Sequence, residues 1–143
     1  MPVLIGLDYG LRRIGIAASD SEGRMAFSVT THVEGRDGSV LKYLVDLAAE
    51  RQAVGVVIGL PLTADGREGD MAQHVRRFAA RLQQDLDLPI TFVDERYSSQ
   101  EAERWIAHRG KPARRGEVDE VAAQIILQHH LDRLQAESER DET

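Results

Sequence analysis

The sequence contains no cysteine and no asparagine among its 143 residues. The absence of cysteine excludes disulfide bonds, thiol catalysis and cysteine-ligated zinc or iron–sulfur sites. The absence of asparagine excludes N-linked glycosylation. No apolar run approaches the roughly 20 residues of a membrane-spanning helix, and residues 1–5 lack the basic region and cleavage site of a signal peptide. We therefore expect a cytoplasmic protein with no membrane partner.

Aromatic residues are scarce, at 5%, and positive charge is in the minority. The 24 acidic and 18 basic residues give a net charge of −6. This total argues against attachment to nucleic acid by bulk electrostatics. The charge is unevenly distributed, however, and the segment between Trp105 and Gly116 contains four basic residues and no acid: Arg109, Lys111, Arg114 and Arg115. This segment is a candidate for phosphate contacts.

Hydrophobic periodicity predicts one α/β domain. Short apolar runs predict strands at 3–7, 14–18, 25–33, 54–60 and 90–93. Helical spacing of apolar residues predicts helices at 39–50, 71–86, 99–108 and 118–134. The order β-β-β-α-β-α-β-α-α indicates a mixed sheet with helices on both faces. We expect a single domain over residues 1–134, followed by an acidic, disordered tail over residues 135–143.

Carboxylates stand at the ends of two predicted strands and at the start of the last helix. Asp8 follows the first strand, Asp94 and Glu95 follow the last strand, and Asp119 lies in the first turn of the last helix. Ligands of open α/β sheets bind at the carboxyl ends of parallel strands, so these acids are expected to converge. Asp94 and Glu95 would point to opposite faces of a regular strand, and a bulge could turn either one inward.

The last helix carries its acids on two different faces. Asp119 is followed by apolar residues at i+3, i+4 and i+7, so its side chain is predicted to point along the packed face. Glu120 aligns instead with Gln124 and Gln128, which predicts a solvent-exposed face. In the predicted helix 99–108, the helical spacing of Trp105 from Ala102 favours a core position for this tryptophan, although it could alternatively stack on bases.

Several acids in one place need a cation. Carboxylates about 4 Å apart repel by about 4 kcal/mol per pair at an effective dielectric constant of about 20. Oxygen donors without cysteine favour Mg²⁺ or Mn²⁺ over Zn²⁺. Two such ions about 3.5–4 Å apart form the site that many enzymes use for phosphodiester hydrolysis. Considered one by one, the same acids could be turn residues or solvated strand ends.

Four sequence blocks resemble the signature blocks of the YqgF, or RuvX-like, family. They are GLDYGLRRIGIAASD (6–20), VVIGLPLTADGREG (56–69), VDERYSSQEA (93–102) and VDEVAAQIIL (118–127). The resemblance extends over about residues 3–134. It implies an RNase H-like fold, with a five-stranded mixed sheet in which the first three strands are antiparallel. It also implies nuclease activity, because family members are described as pre-16S rRNA nucleases or as homologues of Holliday-junction resolvases.

The resemblance assigns roles to the acidic residues. Asp8, Glu95 and Asp119 match the acidic positions of the family, which implies that they are catalytic and hold two Mg²⁺ or Mn²⁺ ions. Asp94 remains a rival to Glu95 for this role.

The resemblance also assigns roles to basic residues. Arg12, Arg13 and Arg96 fall on basic positions of the family and would contact backbone phosphates, together with the basic residues of segment 105–116. Tyr97 and Ser98 depart from the family pattern, in which leucine and threonine are usual.

The expected function is therefore that of a hydrolase. We expect a metal-dependent nuclease that processes the 5′ end of pre-16S rRNA in ribosome biogenesis, acting on RNA or DNA as a monomer or homodimer, with the precursor small ribosomal subunit as a partner. Resolution of Holliday junctions or other branched DNA is the first alternative, and a non-catalytic nucleic-acid-binding module is the second. A nucleotide phosphatase or ATPase is a third, because Asp8-Tyr9-Gly10 with Arg12 resembles the phosphate loop of actin-like ATPases, but those enzymes bind nucleotide between two lobes.

Overall fold

The computed structural model describes residues 2–33, 39–95 and 98–141. Its elements alternate as the hydrophobic pattern predicts, with bounds that differ from the prediction by few residues except at the last helix. In chain order they are β1 (Val3–Tyr9), β2 (Arg13–Ser19), β3 (Ala26–Val33), α1 (Ser39–Arg51), β4 (Ala53–Leu60), α2 (Asp70–Asp85), β5 (Ile90–Asp94), α3 (Ser98–His108) and α4 (Glu117–Asp141). Within the described ranges, no helix is both long enough and apolar enough to cross a membrane.

The strands form one five-stranded sheet in the order β3-β2-β1-β4-β5. The first three strands pair antiparallel, whereas β1, β4 and β5 run parallel to one another. The predicted mixed sheet is thereby confirmed. Because parallel strands end on the same side, the carboxyl ends of β1, β4 and β5 lie along one edge of the sheet.

Helices cover both faces of the sheet. On one face, α1 and α2 pack on fully buried side chains that include Ile5 and Leu7 of β1. On the other face, α4 buries Leu127 against the sheet, and α3 packs on the outside of α4. Alternation along β1 therefore turns Gly6 and Asp8 toward α4. A Cβ atom on Gly6 would lie 2.7 Å from Cβ of Leu127, so glycine at this position lets α4 approach the sheet closely.

The helix α4 is longer than predicted. It continues to Asp141 instead of ending near Leu134, and it thus extends into the acidic segment 135–143. Side chains from Asp132 to Arg140 are exposed. The helical spacing of apolar residues ends near Leu134 because the part of α4 beyond that residue does not pack on the rest of the protein. The backbone continues helical because residues 117–141 contain no glycine and no proline.

The prediction that Glu120, Gln124 and Gln128 form a solvent-exposed face of α4 is wrong. Glu120 is only 4% exposed, and one of its carboxylate oxygens lies 2.7 Å from a guanidinium nitrogen of Arg114. Gln124 donates a hydrogen bond to the carbonyl oxygen of Ala26, and the Ala26 amide donates to Gln128. Ala26 begins the edge strand β3, whose free backbone groups need partners. This face of α4 is polar because it supplies them.

Candidate active site

Asp8 lies at the carboxyl end of β1, on the face that α4 covers. It is partly buried and pairs in register with Gly15 of β2. Burial raises the pKa of its carboxyl group above the ordinary value, and the negative charge of Asp119 raises this pKa further. A side-chain hydrogen bond with Glu95 acts in the opposite direction. Asp8 thus contacts Glu95 and is close enough to Asp119 for the charge of Asp119 to raise its pKa.

The fold turns Glu95, and not Asp94, toward Asp8. Val93 packs in the core beneath α4, and Glu95 faces the same side because it follows two residues later. Asp94, between them, is exposed. Space for Glu95 depends on Gly59, where a Cβ atom would lie 2.8 Å from Oε2 and 2.9 Å from Cβ of Glu95. Regular strand alternation is therefore enough to choose between the two acids.

Asp119 reaches the same edge from the first turn of α4. It is partly buried, and burial raises the pKa of its carboxyl group. The positive charge of Arg13 lowers this pKa, whereas the neighbouring Glu120 raises it. The sequence prediction that Asp119 lies toward the packed side of α4 agrees with this position. The structure thus places Asp8, Glu95 and Asp119 near one another.

The residues present fit a divalent cation in their chemistry. The donors are carboxylates, which suit Mg²⁺ and Mn²⁺. The raised pKa values of Asp8 and Asp119 indicate negative charge that the protein itself leaves poorly compensated. Within the part of the chain that the structure describes, no group of three or more histidine, cysteine, aspartate or glutamate side chains is arranged to hold a metal ion. At this edge the side chains of Asp8 and Glu95 are in hydrogen-bond contact.

A basic cleft adjoins the acids. Arg12, Arg13 and Arg115 line a cleft of about 140 Å³ together with Thr31 and Gly116. Thr31 pairs with Gly15 across β2 and β3, and its hydroxyl donates a 2.5 Å hydrogen bond to the Gly116 carbonyl oxygen. This bond joins β3 to the loop before α4 and forms one wall of the cleft. Three of the predicted phosphate-binding residues are therefore close together.

The other predicted phosphate-binding residues are placed differently. Lys111 is exposed, and Arg96 lies outside the described residues. Arg109 forms a two-bond ion pair with Glu117, at 2.5 Å and 2.6 Å. Arg114 forms ion pairs with Glu117 and Glu120. Two of the four basic residues of segment 105–116 thus have acidic partners within the protein.

Sequence reasoning missed Glu117. Its side chain is 9% exposed, and it accepts hydrogen bonds from the Arg109 guanidinium and from the backbone amide of Arg114. These partners lower the pKa of Glu117 to about 2. The signal that could have found it is its position as the first acid after a basic segment, at the start of a helix.

Two aromatic residues that the sequence places near the acids differ in burial: Tyr9 is packed, whereas Trp105 is exposed. Tyr9 packs on Phe78 of α2, with ring centroids 4.6 Å apart. The prediction that Trp105 lies in the core is wrong, because its side chain is 55% exposed. Its neighbours Ala102 and Ile106 occupy the positions of α3 that pack on α4. Tyr97 lies outside the described residues.

Comparison with known families decides the affiliation of the chain. The RuvX family model, described as Holliday junction resolvase, matches residues 2–133. The chain belongs to the RuvX family. A relative from Synechococcus elongatus is 45% identical over 130 residues, covering 90% of this chain and 87% of its own. A relative from Anaeromyxobacter sp. (strain K) is 44% identical over 131 residues, covering 90% and 96%. Both relatives carry the name "Putative pre-16S rRNA nuclease".

Solved structures confirm the RNase H-like fold of this RuvX-family nuclease. Thermus thermophilus RuvC superposes with a TM-score of 0.60 at 12% identity, covering 94% of this chain and 96% of its own. Fowlpox virus resolvase, in complex with Holliday junction DNA, superposes with a TM-score of 0.57 at 7% identity, covering 92% and 98%. At these identities the likeness concerns the fold alone.

Proposed function

We propose that this RuvX-family chain is a divalent-metal-dependent nuclease that trims the 5′ end of pre-16S rRNA. The observation that carries the proposal is the contact between the partly buried carboxyl groups of Asp8 and Glu95, beside Asp119, at the carboxyl edge of the parallel strands. The substrate is inferred from the names of the relatives. Work in the cytoplasm, with the precursor small ribosomal subunit as partner, is part of the same proposal.

The three acids have one proposed task. Asp8, Glu95 and Asp119 would hold two Mg²⁺ or Mn²⁺ ions, which when bound stabilise the negative charge that develops on phosphate and leaving oxygens during hydrolysis. The protein prepares this site by partly burying carboxylates, and burial raises the pKa values of Asp8 and Asp119 more than the Glu95 hydrogen bond and the Arg13 charge lower them. Asp94 has no part in it, because it faces away from the other acids.

The basic cleft has a second proposed task. Arg12, Arg13 and Arg115 would bind backbone phosphates on either side of the scissile bond and so orient that bond toward the acids. Lys111 and Arg96 keep the phosphate-binding role that the sequence predicts for them, and we assign them no position relative to this cleft. Because Arg109 and Arg114 are bound to acids within the protein, we assign them a structural role and no direct phosphate contact.

A cleavage assay tests the proposal. Labelled pre-16S RNA fragments with a 5′ extension, single-stranded DNA and a four-way DNA junction would each be incubated with Mg²⁺, Mn²⁺ or EDTA. We expect metal-dependent cutting of the RNA that Asp8→Asn reduces about 100-fold or more. Asp94→Asn is the matched control, since it removes a neighbouring acid that faces solvent, and should retain activity. Undiminished cutting by Asp8→Asn would contradict the assignment.

Junction resolution is the second candidate, favoured by the description of the matching family model as Holliday junction resolvase. A four-way junction has two scissile strands, so this function requires a two-fold dimer. Preferred cutting of the junction by a dimeric species would replace the RNA substrate in our proposal. Binding of nucleic acid without cutting in any metal would instead indicate a non-catalytic module.

A further inference from the structure

Trp105 is exposed without an evident structural reason. It is the only tryptophan in the sequence, and 55% of its side chain is accessible to solvent. The adjacent residue Ile106 and the preceding turn's Ala102 make the contacts that hold α3 on α4. The indole is therefore not needed for packing of this helix, and tryptophan is enriched at binding interfaces.

The indole lies beside a fixed guanidinium group. The Cζ atom of Arg109 lies 5.7 Å from the centroid of the Trp105 ring. Arg109 is itself held by both carboxylate oxygens of Glu117, at 2.5 Å and 2.6 Å, and by the carbonyl oxygen of Pro112 at 3.1 Å. A cation held in this way restricts the orientations of the ring, so part of the entropy cost of binding a ligand is already met.

The same contacts connect the indole to the candidate active site. Glu117 begins α4, and Asp119 lies in the same first turn. Trp105 is thus linked through Arg109 and Glu117 to the helix turn that carries an acid of the site.

The surrounding charge indicates the chemistry of the ligand. The segment 104–116 contains no acidic residue. Exposed cations flank the indole on both sides in sequence, at Arg104, Lys111 and Arg115. An occupant that is both negatively charged and aromatic satisfies both features. Nucleic acid meets this description, and its bases are available for stacking on a side chain only where they are unpaired.

We propose that Trp105, positioned by Arg109, is a stacking platform for an unpaired base of the nucleic-acid substrate. This proposal rests on the proposed nuclease function and adds a preference for single-stranded segments. It treats Trp105 as a binding residue that lies outside the cleavage chemistry. An exposed surface for a protein partner is the competing explanation, and the experiment below would reveal it.

Intrinsic fluorescence tests the platform directly, because all tryptophan emission comes from Trp105. The protein in EDTA would be titrated with a short single-stranded RNA, an abasic strand of equal length and an RNA duplex. The fluorescence anisotropy of labelled strands would report binding independently of tryptophan emission. We expect quenching by the single strand and much less by the abasic strand or the duplex. Trp105→Ala should lose about five- to 100-fold in single-strand affinity, and Trp105→Phe should recover most of it.

Phe27 provides a matched control. It is 53% exposed, but it lies toward the opposite end of β3 from Thr31 and the basic cleft. Phe27→Ala should bind RNA as the unchanged protein does. Saturation with single-stranded RNA without a change in emission would overturn the proposal, as would unchanged affinity in Trp105→Ala, and either result would favour a protein-binding surface. Absence of any binding in the anisotropy measurement would instead contradict the nuclease function on which the proposal rests.

Discussion

A Cβ atom on Gly15 would lie 1.9 Å from the carbonyl oxygen of Asp119. The first turn of α4 therefore rests directly on the backbone of β2. Gly15 is also the residue that pairs with Asp8 across β1 and β2. One close contact between a strand and a helix thus fixes how near Asp119 comes to Asp8, and only glycine permits it.

Gly15→Ala should lower both stability and activity. The added methyl group must push α4 from the sheet, which for overpacking typically costs about 1–3 kcal/mol. A displacement of catalytic groups by about 1 Å can reduce a rate about 100-fold. Thermal unfolding and kcat/KM would measure the two effects. Gly55→Ala is the control, because its Cβ atom would meet mainly the flexible end of Leu4 at 3.0 Å. Full activity in Gly15→Ala would show that the contact does not position the acid.

Asp8→Asn should stabilise the metal-free protein although it strongly reduces cleavage. Burial raises the pKa of Asp8 in the folded protein above its ordinary value of 3.8. The folded state then binds the proton more tightly than the unfolded state. The free energy of unfolding therefore falls as the pH rises from the ordinary pKa to the raised pKa of the folded protein, and it stays lower at neutral pH. Removing the charge should raise Tm by a few degrees at pH 7 in EDTA, and by less near pH 4.

Divalent ions should reverse this order of stabilities. At a concentration 100 times its dissociation constant, a ligand of the folded state adds about 2.7 kcal/mol to the free energy of unfolding. Mn²⁺ should therefore raise the Tm of the unchanged protein and of Asp94→Asn, but have little effect on Asp8→Asn. Equal stabilisation of all three proteins by Mn²⁺ would place the ion elsewhere and contradict the proposed ligands.

The sequence was sufficient for the sheet and for the convergence of the acids. Apolar runs and helical spacing predict which segments are strands and helices, and parallel strands must end on one edge, so Asp8 and Glu95 are brought together by topology. The choice of Glu95 over Asp94 follows from alternation after Val93. That argument requires knowing that Val93 lies under α4, which periodicity in a five-residue strand does not reveal.

Hydrophobic periodicity gave the wrong exposure for residues whose surroundings are set by segments far away in the sequence. Gln124 and Gln128 are polar because they bond to the free backbone groups of Ala26, about 100 positions earlier in the chain. Trp105 lies at a helical spacing that suits a core, but the face of α3 that meets α4 is narrow and is filled by Ala102 and Ile106. The width of that contact depends on how two helices dock, and spacing within one helix carries no information about it.

The ion pair of Glu117 should protect the fold against acid. Its pKa is lowered to about 2, first by the hydrogen bond from Arg109 and then by the Arg114 amide. A depressed pKa contributes stability that is present above the ordinary value of 4.5 and is lost as the pH falls toward 2. Glu117→Gln should therefore lower Tm by several degrees at pH 7, and the difference from the unchanged protein should shrink as the pH falls from about 4.5 to 2. Glu103→Gln, an exposed change on α3, is the control. A difference in Tm that does not depend on pH would exclude the ion pair as its cause.

Two arginines of the same segment should behave in opposite ways. Arg115 lines the basic cleft, and none of the ion pairs found among the described residues involves it. Arg115→Ala should weaken RNA binding, reduce the dependence of log affinity on log salt by about one unit, and leave Tm unchanged. Arg109→Ala should lower Tm, because it leaves Glu117 without its main partner, and should change the salt dependence little.

Binding isotherms at several salt concentrations, together with thermal unfolding, would separate the two roles. Arg133→Ala, an exposed change on the far part of α4, should alter neither property. If Arg109→Ala proved to reduce the salt dependence as strongly as Arg115→Ala, Arg109 would contact phosphate despite its bonds to Glu117. The division between structural and phosphate-binding arginines would then be wrong, and RNA would have to compete with Glu117 for the same guanidinium group.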